Sequence, residues 1–239
     1  MTTKSDHSLL LAAYDEVLRR EYGPLLCGVD ECGRGAWASC LMAGAVVLAP
    51  DAVLPGLNDS KKLDKAERER LAELIKKTAL AWAVCGVSAE DIDMFGLTAA
   101  NRNAMLGAAT AVRDALEWNV NLYVIDQAPS FSLSPHKMLA KADSTSLCVA
   151  AASVVAKVER DALMAEMDTA YPGYNFATNK GYVRDGHVAA VNRLGLYPIH
   201  RASYKVKGCT ATSARQNAAN PEASQEPKLF SQEITPEAD

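Results

Sequence analysis

The sequence places an aspartate and a glutamate side by side after an apolar run, followed closely by an arginine between two glycines. The acids are Asp30 and Glu31, and the later segment is Gly33, Arg34 and Gly35. A lone carboxylate is costly to bury, whereas a guanidinium group is well suited to phosphate. This combination indicates a metal site that acts on a phosphodiester. Solvated acids at a strand end, paired with Arg34 on the surface, would give the same pattern.

Two further aspartates follow apolar runs in the same way. They are Asp126 and Asp143. Ligands bind at strand ends in open α/β sheets, and carboxylates that meet there repel one another unless a cation neutralises them. Oxygen ligands select Mg²⁺ or Mn²⁺, and a pair of such ions activates water for phosphodiester hydrolysis. Aspartates at strand ends are also common turn residues and helix caps, and Asp143 fits this alternative best because it precedes Ser144.

Three segments carry donors suited to phosphate. Residues 58–63 place Lys61 before a predicted helix, and the N-termini of helices bind phosphate. Residues 179–187 combine cations with Tyr182, whose ring can stack on a sugar or base. Residues 200–207 contain a histidine, an arginine and two lysines. We expect these segments to form a basic surface, although each could be only a solvated edge.

The composition is typical of a globular protein, with 49% hydrophobic and 23% charged residues among 239. No apolar stretch approaches the ~20 residues of a membrane span, and no signal-peptide core follows the polar N-terminus, so we expect a cytoplasmic protein without membrane contact. The net charge of −4 argues against wholesale nucleic-acid binding. Residues 209–239 carry two basic and five acidic side chains, so the rest of the chain is nearly neutral and can present a local basic face.

The hydrophobic pattern predicts a single α/β domain in which helices flank a mixed sheet. Predicted strands cover residues 25–31, 40–48, 80–87, 122–125 and 138–142. Predicted helices cover residues 63–79, 98–116, 150–167 and 185–194, with Asp64 and Asp185 as the caps of the first and the last. Residues 209–239 lack a hydrophobic period, and we expect a disordered tail, in which Phe230 and Ile234 could dock on an unidentified protein.

The acid pair raises a geometric problem. Neighbouring side chains on a strand point to opposite faces, so Asp30 and Glu31 cannot both enter one site from a regular strand. We therefore expect the strand to end or bend at the pair, with the glycines from Gly33 onward allowing this. In the alternative arrangement, the side chain of Glu31 faces away from the site.

Taken together, these segments resemble type 2 ribonuclease H, or ribonuclease HII. The resemblance extends from about residue 25 to residue 207 and is specific because many motifs occur in the family's order. The matching segments are residues 28–35, 57–63, 124–126, 141–144, 150–161, 171–174, 179–182 and 200–201.

The resemblance implies a ribonuclease H-like α/β fold with a helical C-terminal portion, formed by residues 1–208. It also implies hydrolysis of the RNA strand of RNA–DNA hybrids, and cleavage 5′ of ribonucleotides embedded in duplex DNA. The expected products have 3′-hydroxyl and 5′-phosphate ends. The implied cofactor is Mg²⁺ or Mn²⁺, bound as a pair of ions, and we expect a monomer.

The resemblance also assigns residues. The family's four catalytic, metal-binding carboxylates fall on Asp30, Glu31, Asp126 and Asp143. The loop that reads the 2′-hydroxyl and adjoining phosphate falls on Gly33, Arg34 and Gly35. Lys61 is implied as a further substrate-binding residue, and the tyrosine that senses the RNA–DNA junction falls on Tyr182. The 2′-hydroxyl is the group by which a protein distinguishes RNA from DNA.

The sequence departs from the family pattern near the expected site. Cys32 and Ala36 stand where the family usually has alanine and proline, and Gln127 stands where glycine is common. Val183 and Arg184 replace the usual glycine and threonine. No acidic position is lost, so we expect activity, with an altered preference for junctions as one consequence.

Two alternatives remain open at this stage. The first is a related carboxylate nuclease of the same fold, such as a type 3 ribonuclease H or a junction resolvase; Arg34 between glycines and Tyr182 argue against it. The second is a nucleic-acid-binding protein without catalysis. A pure binder gains nothing from carboxylates that repel phosphate.

Overall fold

The computed structural model describes residues 4–116, 118–127, 131–211 and 230–234. The helices are α1 (Lys4–Tyr22), α2 (Lys65–Thr78), α3 (Ala89–Phe95), α4 (Leu97–Ala115), α5 (Leu147–Ala170), α6 (Phe176–Asn179) and α7 (Asp185–Leu194). The strands are β1 (Leu26–Cys32), β2 (Leu41–Leu48), β3 (Ala79–Val87), β4 (Leu122–Asp126), β5 (His136–Leu139) and β6 (Phe230–Ile234). Short 3₁₀ helices cover Ser60–Lys62 and Ala142–Ser144.

The strands form one mixed sheet in the order β5-β4-β1-β2-β3-β6. Neighbours from β1 through β3 to β6 are antiparallel, whereas β4 is parallel to β1 and β5 is parallel to β4. Helix α4 packs on one face and α5 on the other, so the sheet separates two hydrophobic cores. Strand β2 is buried along its whole length because both its faces are covered. The predicted mixed sheet flanked by helices is therefore confirmed.

Most predicted elements are present with ends shifted by a few residues. Asp64 caps α2 as predicted, because its side chain accepts the backbone N–H of Glu67. Asp185 is the first residue of α7 rather than its cap, and the N-cap position is held by Arg184. Strand β5 ends at Leu139, before the predicted end. Helices α1, α3 and α6 were not predicted from the sequence.

Helix α1 is anchored by a buried carboxylate. Asp15 Oδ2 accepts the backbone N–H of Cys148, 2.9 Å away, in the first turn of α5, where N–H groups have no partner within the helix. Burial raises the pKa of Asp15, although hydrogen bonds from Ser146 and Cys148 act in the opposite direction. The first helix therefore closes the N-terminal end of α5.

Strand β6 comes from the segment predicted to be disordered. It pairs antiparallel with β3, from Ala81 opposite Ile234 to Cys85 opposite Phe230. The prediction is wrong for these five residues, because an edge strand offers unpaired backbone groups that an extended segment can bind without a hydrophobic period of its own. Residues 212–229 and 235–239, which the same prediction covers, lie outside the described residues. In the described ranges, no helix is long and apolar enough to cross a membrane.

At two glycines of the sheet, the backbone of helix α5 contacts the strand with no side chain between them. A Cβ at Gly28 would lie 2.1 Å from the carbonyl carbon of Cys148, and one at Gly44 would lie 2.5 Å from the carbonyl oxygen of Ala152. Both positions need glycine because the helix backbone occupies the space of a side chain. This contact sets the height of α5 above β1 and β2.

Replacement of Gly28 by alanine is expected to lower the free energy of unfolding by about 2–3 kcal/mol, because the new methyl group meets backbone that cannot move aside. Gly86→Ala is the matched control, since its Cβ would lie 3.7 Å from the nearest atom. Urea unfolding measures both variants. If Gly28→Ala were as stable as Gly86→Ala, the backbone contact between α5 and β1 would be refuted.

Candidate active site

Two of the predicted carboxylates lie side by side on neighbouring strands of the sheet. Strands β1 and β4 are parallel, and Val29 pairs with Ile125. Asp30 and Asp126 are the next residues on the two strands, and both alternate onto the face covered by α5. Asp30 is only 4% exposed. Register alone thus makes these two acids neighbours.

Asp143 approaches the same place from the 3₁₀ helix after β5. Asp126 Oδ1 accepts the backbone N–H of Ala142, 3.2 Å away, which ties this turn to the end of β4. Asp143 is buried, and its Oδ2 lies 3.6 Å from Nζ of the exposed Lys61. The prediction that Asp143 directly ends a strand is wrong, since the acid lies in the turn beyond the strand. Asp59, which the sequence reasoning did not select, also lies close enough to raise the pKa of Asp143.

Strand β1 continues without a break through both acids of the pair. Its antiparallel register with β2 includes Asp30, Glu31 and Cys32, and the backbone first adopts a positive φ, +85°, at Gly33. The strand thus ends at Cys32, one residue beyond the expected position and directly before Gly33. Alternation places Glu31 on the face of the sheet opposite Asp30. Burial and the charge of Asp126 nevertheless raise the pKa of Glu31, so its carboxylate lies within electrostatic range of the others.

The carboxylates disfavour one another's ionised forms. Burial raises the pKa of Asp30 well above its usual value, and the charges of Glu31, Asp126 and Asp143 raise it further. A hydrogen bond from Ser153 acts in the opposite direction. A divalent cation would relieve this repulsion, and the oxygen-only donor set suits Mg²⁺ or Mn²⁺. In the described part of the chain, no three His, Cys, Asp or Glu side chains have the spacing of a complete metal site, so the fit rests on charge and donor chemistry.

A buried arginine holds the glycine–arginine–glycine loop. Arg201 donates from Nη2 to the carbonyl of Gly33 and from Nη1 to the carbonyl of Arg34, both at 2.8 Å. The hydroxyl of Tyr204 also donates to the Arg34 carbonyl, at 3.0 Å. The side chain of Arg34 itself is exposed, as is Gly35. The loop backbone is thus fixed from within, while its charged side chain is open to a ligand.

A second buried arginine connects this loop to Tyr182. Arg160 donates to three backbone carbonyls, including that of Lys180 at 2.9 Å. Its guanidinium carbon lies 5.5 Å from the centre of the half-buried Tyr182 ring, within the range of a cation–π contact. A Cβ at Gly33 would lie 2.1 Å from Nε of Arg160. The loop and Tyr182 therefore share one rigid support.

The third predicted basic segment is only partly a surface. His200 and Arg201 are 2% and 0% exposed, whereas Lys205 and Lys207 are exposed. Burial, with a smaller effect of His187, lowers the pKa of His200 to about 3. The prediction of a basic surface is wrong for these two residues, because they pair with backbone groups, with the Tyr204 hydroxyl and with another imidazole. The motif that contains Arg201 was recognised from the sequence, but its function as a clamp was not.

The mixed sheet with helices on both faces is a ribonuclease H-like fold. Ribonuclease H2 from Pyrococcus horikoshii OT3 shares it with a TM-score of 0.63, at 22% identity over 76% of this chain and 94% of that one. The RNase HII of a PCNA:RNase HII complex from Archaeoglobus fulgidus has a TM-score of 0.59, at 23% identity over 77% and 96%. Bst-RNase HIII in complex with Mn²⁺ has a TM-score of 0.62, at 18% identity over 84% and 71%.

Sequence comparison identifies the family. The Ribonuclease HII family model matches residues 27–207. Ribonuclease HII of Laribacter hongkongensis is 44% identical over 191 residues, covering 78% of this chain and 94% of the relative. Ribonuclease HII of Hyphomonas neptunium is 42% identical over 193 residues, covering 76% and 93%. The chain belongs to the ribonuclease HII family and is a metal-dependent ribonuclease H, which confirms the resemblance seen in the motifs.

The raised pKa of Asp30 predicts a pH-dependent stability without divalent cations. The folded protein keeps this proton at pH values where the unfolded chain has released it, so stability falls as the pH rises from about 4 through the raised pKa. Asp30→Asn cannot ionise, and with EDTA at pH 8 it is expected to be about 1–3 kcal/mol more stable than the wild type. This difference in stability should disappear toward pH 4. Urea unfolding of both proteins at pH 8 and at pH 4 measures the difference.

Asp51→Asn provides the matched control, because Asp51 is exposed and its replacement also removes one negative charge. This variant is expected to unfold like the wild type at both pH values. An Asp30→Asn protein no more stable than the wild type at pH 8 would contradict the mutual repulsion of the carboxylates.

Proposed function

We propose that the protein cuts the RNA strand of RNA–DNA hybrids and, in duplex DNA, the phosphodiester on the 5′ side of an embedded ribonucleotide. The products carry 3′-hydroxyl and 5′-phosphate ends. One observation carries the proposal: the acid pair and the glycine–arginine–glycine loop are separated only by Cys32, and the loop is fixed by Arg201 and Arg160. A ribonucleotide held by this loop has its phosphate next to the carboxylates.

Four carboxylates hold the metal in this proposal: Asp30, Glu31, Asp126 and Asp143. The cofactor is a pair of Mg²⁺ or Mn²⁺ ions, which when bound supply an activated water and a stabilised leaving oxygen. The protein's own residues orient the ligands. Ser153 lies close enough to the carboxylate of Asp30 to favour its ionised form, and the backbone N–H of Ala142 donates to Asp126. Such supporting contacts tune a metal site and fix its geometry.

The ammonium group of Lys61 offsets part of the negative charge at this end of the sheet. Partial burial alone would lower the pKa of Lys61, but Asp143, Asp59 and the other carboxylates raise it. Its ammonium group therefore stays charged next to Asp143. Because 80% of the side chain is exposed, the same group is free to contact a phosphate of the substrate.

The glycine–arginine–glycine loop and Tyr182 recognise the ribonucleotide. An added Cβ at Gly35 would meet no protein atom within 4 Å, so a 2′-hydroxyl can approach this backbone closely. The exposed guanidinium of Arg34 binds the adjoining phosphate. The ring of Tyr182, supported by Arg160, contacts the sugar at the RNA–DNA junction. A monomeric state, cytoplasmic residence and a docking function of the tail remain predictions.

The decisive assay uses a DNA duplex with one ribonucleotide, incubated with Mg²⁺, with Mn²⁺ or with EDTA. We expect a nick 5′ of the ribonucleotide with either metal ion and none with EDTA, and mapping of the termini checks the 3′-hydroxyl and 5′-phosphate. A second substrate pairs an all-RNA strand with DNA. Efficient cutting of this hybrid alone would favour a type 3-like activity, and tight binding without nicking would favour a non-catalytic protein.

Asp30→Asn is expected to reduce cleavage at least ~1000-fold while hybrid binding persists. The variant loses a central metal ligand, but it also loses a negative charge that repels the phosphates. Gel-shift titration in EDTA and single-turnover cleavage in Mg²⁺ separate the two effects. Asp51→Asn again serves as the control for charge. Full activity of Asp30→Asn would refute the assignment of the metal site.

A further inference from the structure

Two buried histidines lie between the backbone of Tyr197 and the backbone of Tyr182. His187, in α7, is 1% exposed, and its Nε2 lies 3.1 Å from Nε2 of His200. On the other side of its ring, Nδ1 lies 3.0 Å from the carbonyl oxygen of Tyr182. Nδ1 of His200 accepts the backbone N–H of Tyr197 at 3.0 Å. It also lies 3.2 Å from the carbonyl oxygen of Tyr197, which already accepts the backbone N–H of His200 at 2.9 Å. The proposed function uses neither imidazole.

One arrangement of protons gives the Tyr182 carbonyl a donor, the Tyr197 N–H an acceptor and the two rings a hydrogen bond to each other. Because His200 Nδ1 accepts the N–H of Tyr197, the proton of its neutral ring is on Nε2, which donates to Nε2 of His187. The proton of His187 is then on Nδ1, which donates to the carbonyl of Tyr182. Burial lowers the pKa of both imidazoles, so both rings are neutral at physiological pH. The result is a directional chain of hydrogen bonds that ends on the backbone of Tyr182.

Aromatic side chains hold the two rings in place. The Trp37 ring lies 5.0 Å from that of His187 and 5.5 Å from that of His200, measured between centroids. Phe176 lies 5.4 Å and 5.8 Å from the same two rings. Close packing on both imidazoles restricts their rotation and excludes water. Packing therefore holds the two rings in the orientation in which these hydrogen bonds form.

We propose that His187, oriented by His200, is a positioning residue that fixes the backbone of Tyr182 and so the pose of its ring at the RNA–DNA junction. Arg160 supports the ring, while the imidazole holds the carbonyl, so the residue is restrained at two points. The next residues, Val183 and Arg184, are exposed and differ from the family pattern. The inference rests on the junction-sensing function proposed for Tyr182.

Two substitutions at one position separate the contacts of His187. In His187→Asn the amide nitrogen takes the place of Nδ1 and can still donate to the Tyr182 carbonyl. In His187→Gln the longer amide takes the place of Nε2 and keeps a partner for His200, but it leaves the carbonyl unpaired. A buried carbonyl without a donor is costly, so in His187→Gln the backbone of Tyr182 shifts.

The measurement is kcat/KM on a duplex with one ribonucleotide and on an all-RNA strand paired with DNA. His187→Gln is expected to lose about tenfold on the single-ribonucleotide substrate, the equivalent of one hydrogen bond and its geometry, and much less on the hybrid. His187→Asn is expected to keep most of the selectivity. His136→Gln is the control, since His136 is exposed on β5 and its replacement should change neither rate.

The outcomes distinguish this inference from the proposed function. If Tyr182→Ala keeps the wild-type ratio of the two rates, the junction-sensing function of Tyr182 is overturned. If Tyr182→Ala changes the ratio of the two rates but His187→Gln leaves it at the wild-type value, the positioning inference alone is overturned. Equal losses on both substrates in His187→Gln and His187→Asn, with equal drops in unfolding temperature, would also overturn it in favour of a purely structural pair.

A spectroscopic test uses the wild-type protein. In ¹⁵N NMR spectra at pH 7 to 8, His187 should be the neutral Nδ1–H tautomer and His200 the neutral Nε2–H tautomer. These tautomers would support the hydrogen-bond chain. A charged imidazole, or the opposite tautomers, at pH 7 would overturn it without any variant.

Discussion

The direct contact between the backbone of α5 and the sheet is the constraint on which the remaining structure depends. Gly28 and Gly44 remove the side chains that would hold the helix away from β1 and β2. At this distance, Ser153 lies close enough to Asp30 to favour its ionised form. Arg160, further along the same helix, contacts the loop and Tyr182. One packing distance therefore determines the geometry of the carboxylates and of the substrate-facing loop together.

The distribution of charge follows from that packing. Arg160 and Arg201 are fully buried, yet within the described ranges both direct their donors mainly to backbone carbonyls. A guanidinium paired with Asp30 would compete with a metal ion for the same oxygens. Because carbonyl dipoles balance the buried arginines instead, the acids remain available to a cation. The hydrogen bonds of the two arginines to backbone carbonyls thus leave the carboxylates able to bind a metal ion.

The sequence predicted the parts of this arrangement that depend on residue type and local pattern. Apolar runs ending in acids identified the strands of Asp30 and Asp126, and the family motifs identified the loop. The register that makes these two acids neighbours could not be predicted, since it arises from pairing between distant segments. The sequence also does not show whether an arginine is buried or exposed, so Arg201 was predicted to lie on the surface. The strand at Phe230 was missed because backbone pairing needs no characteristic side-chain pattern.

Strand β6 also affects how the molecule meets copies of itself. Without it, the outer edge of β3 from Ala81 to Cys85 would present a row of free amide and carbonyl groups. Small side chains such as Ala81 and Ala83 offer little steric resistance to another strand. Two truncated molecules could then join their sheets into one, and longer chains of molecules could grow from the same contact. The C-terminal strand occupies the edge first, and in this way it keeps the sheet finite.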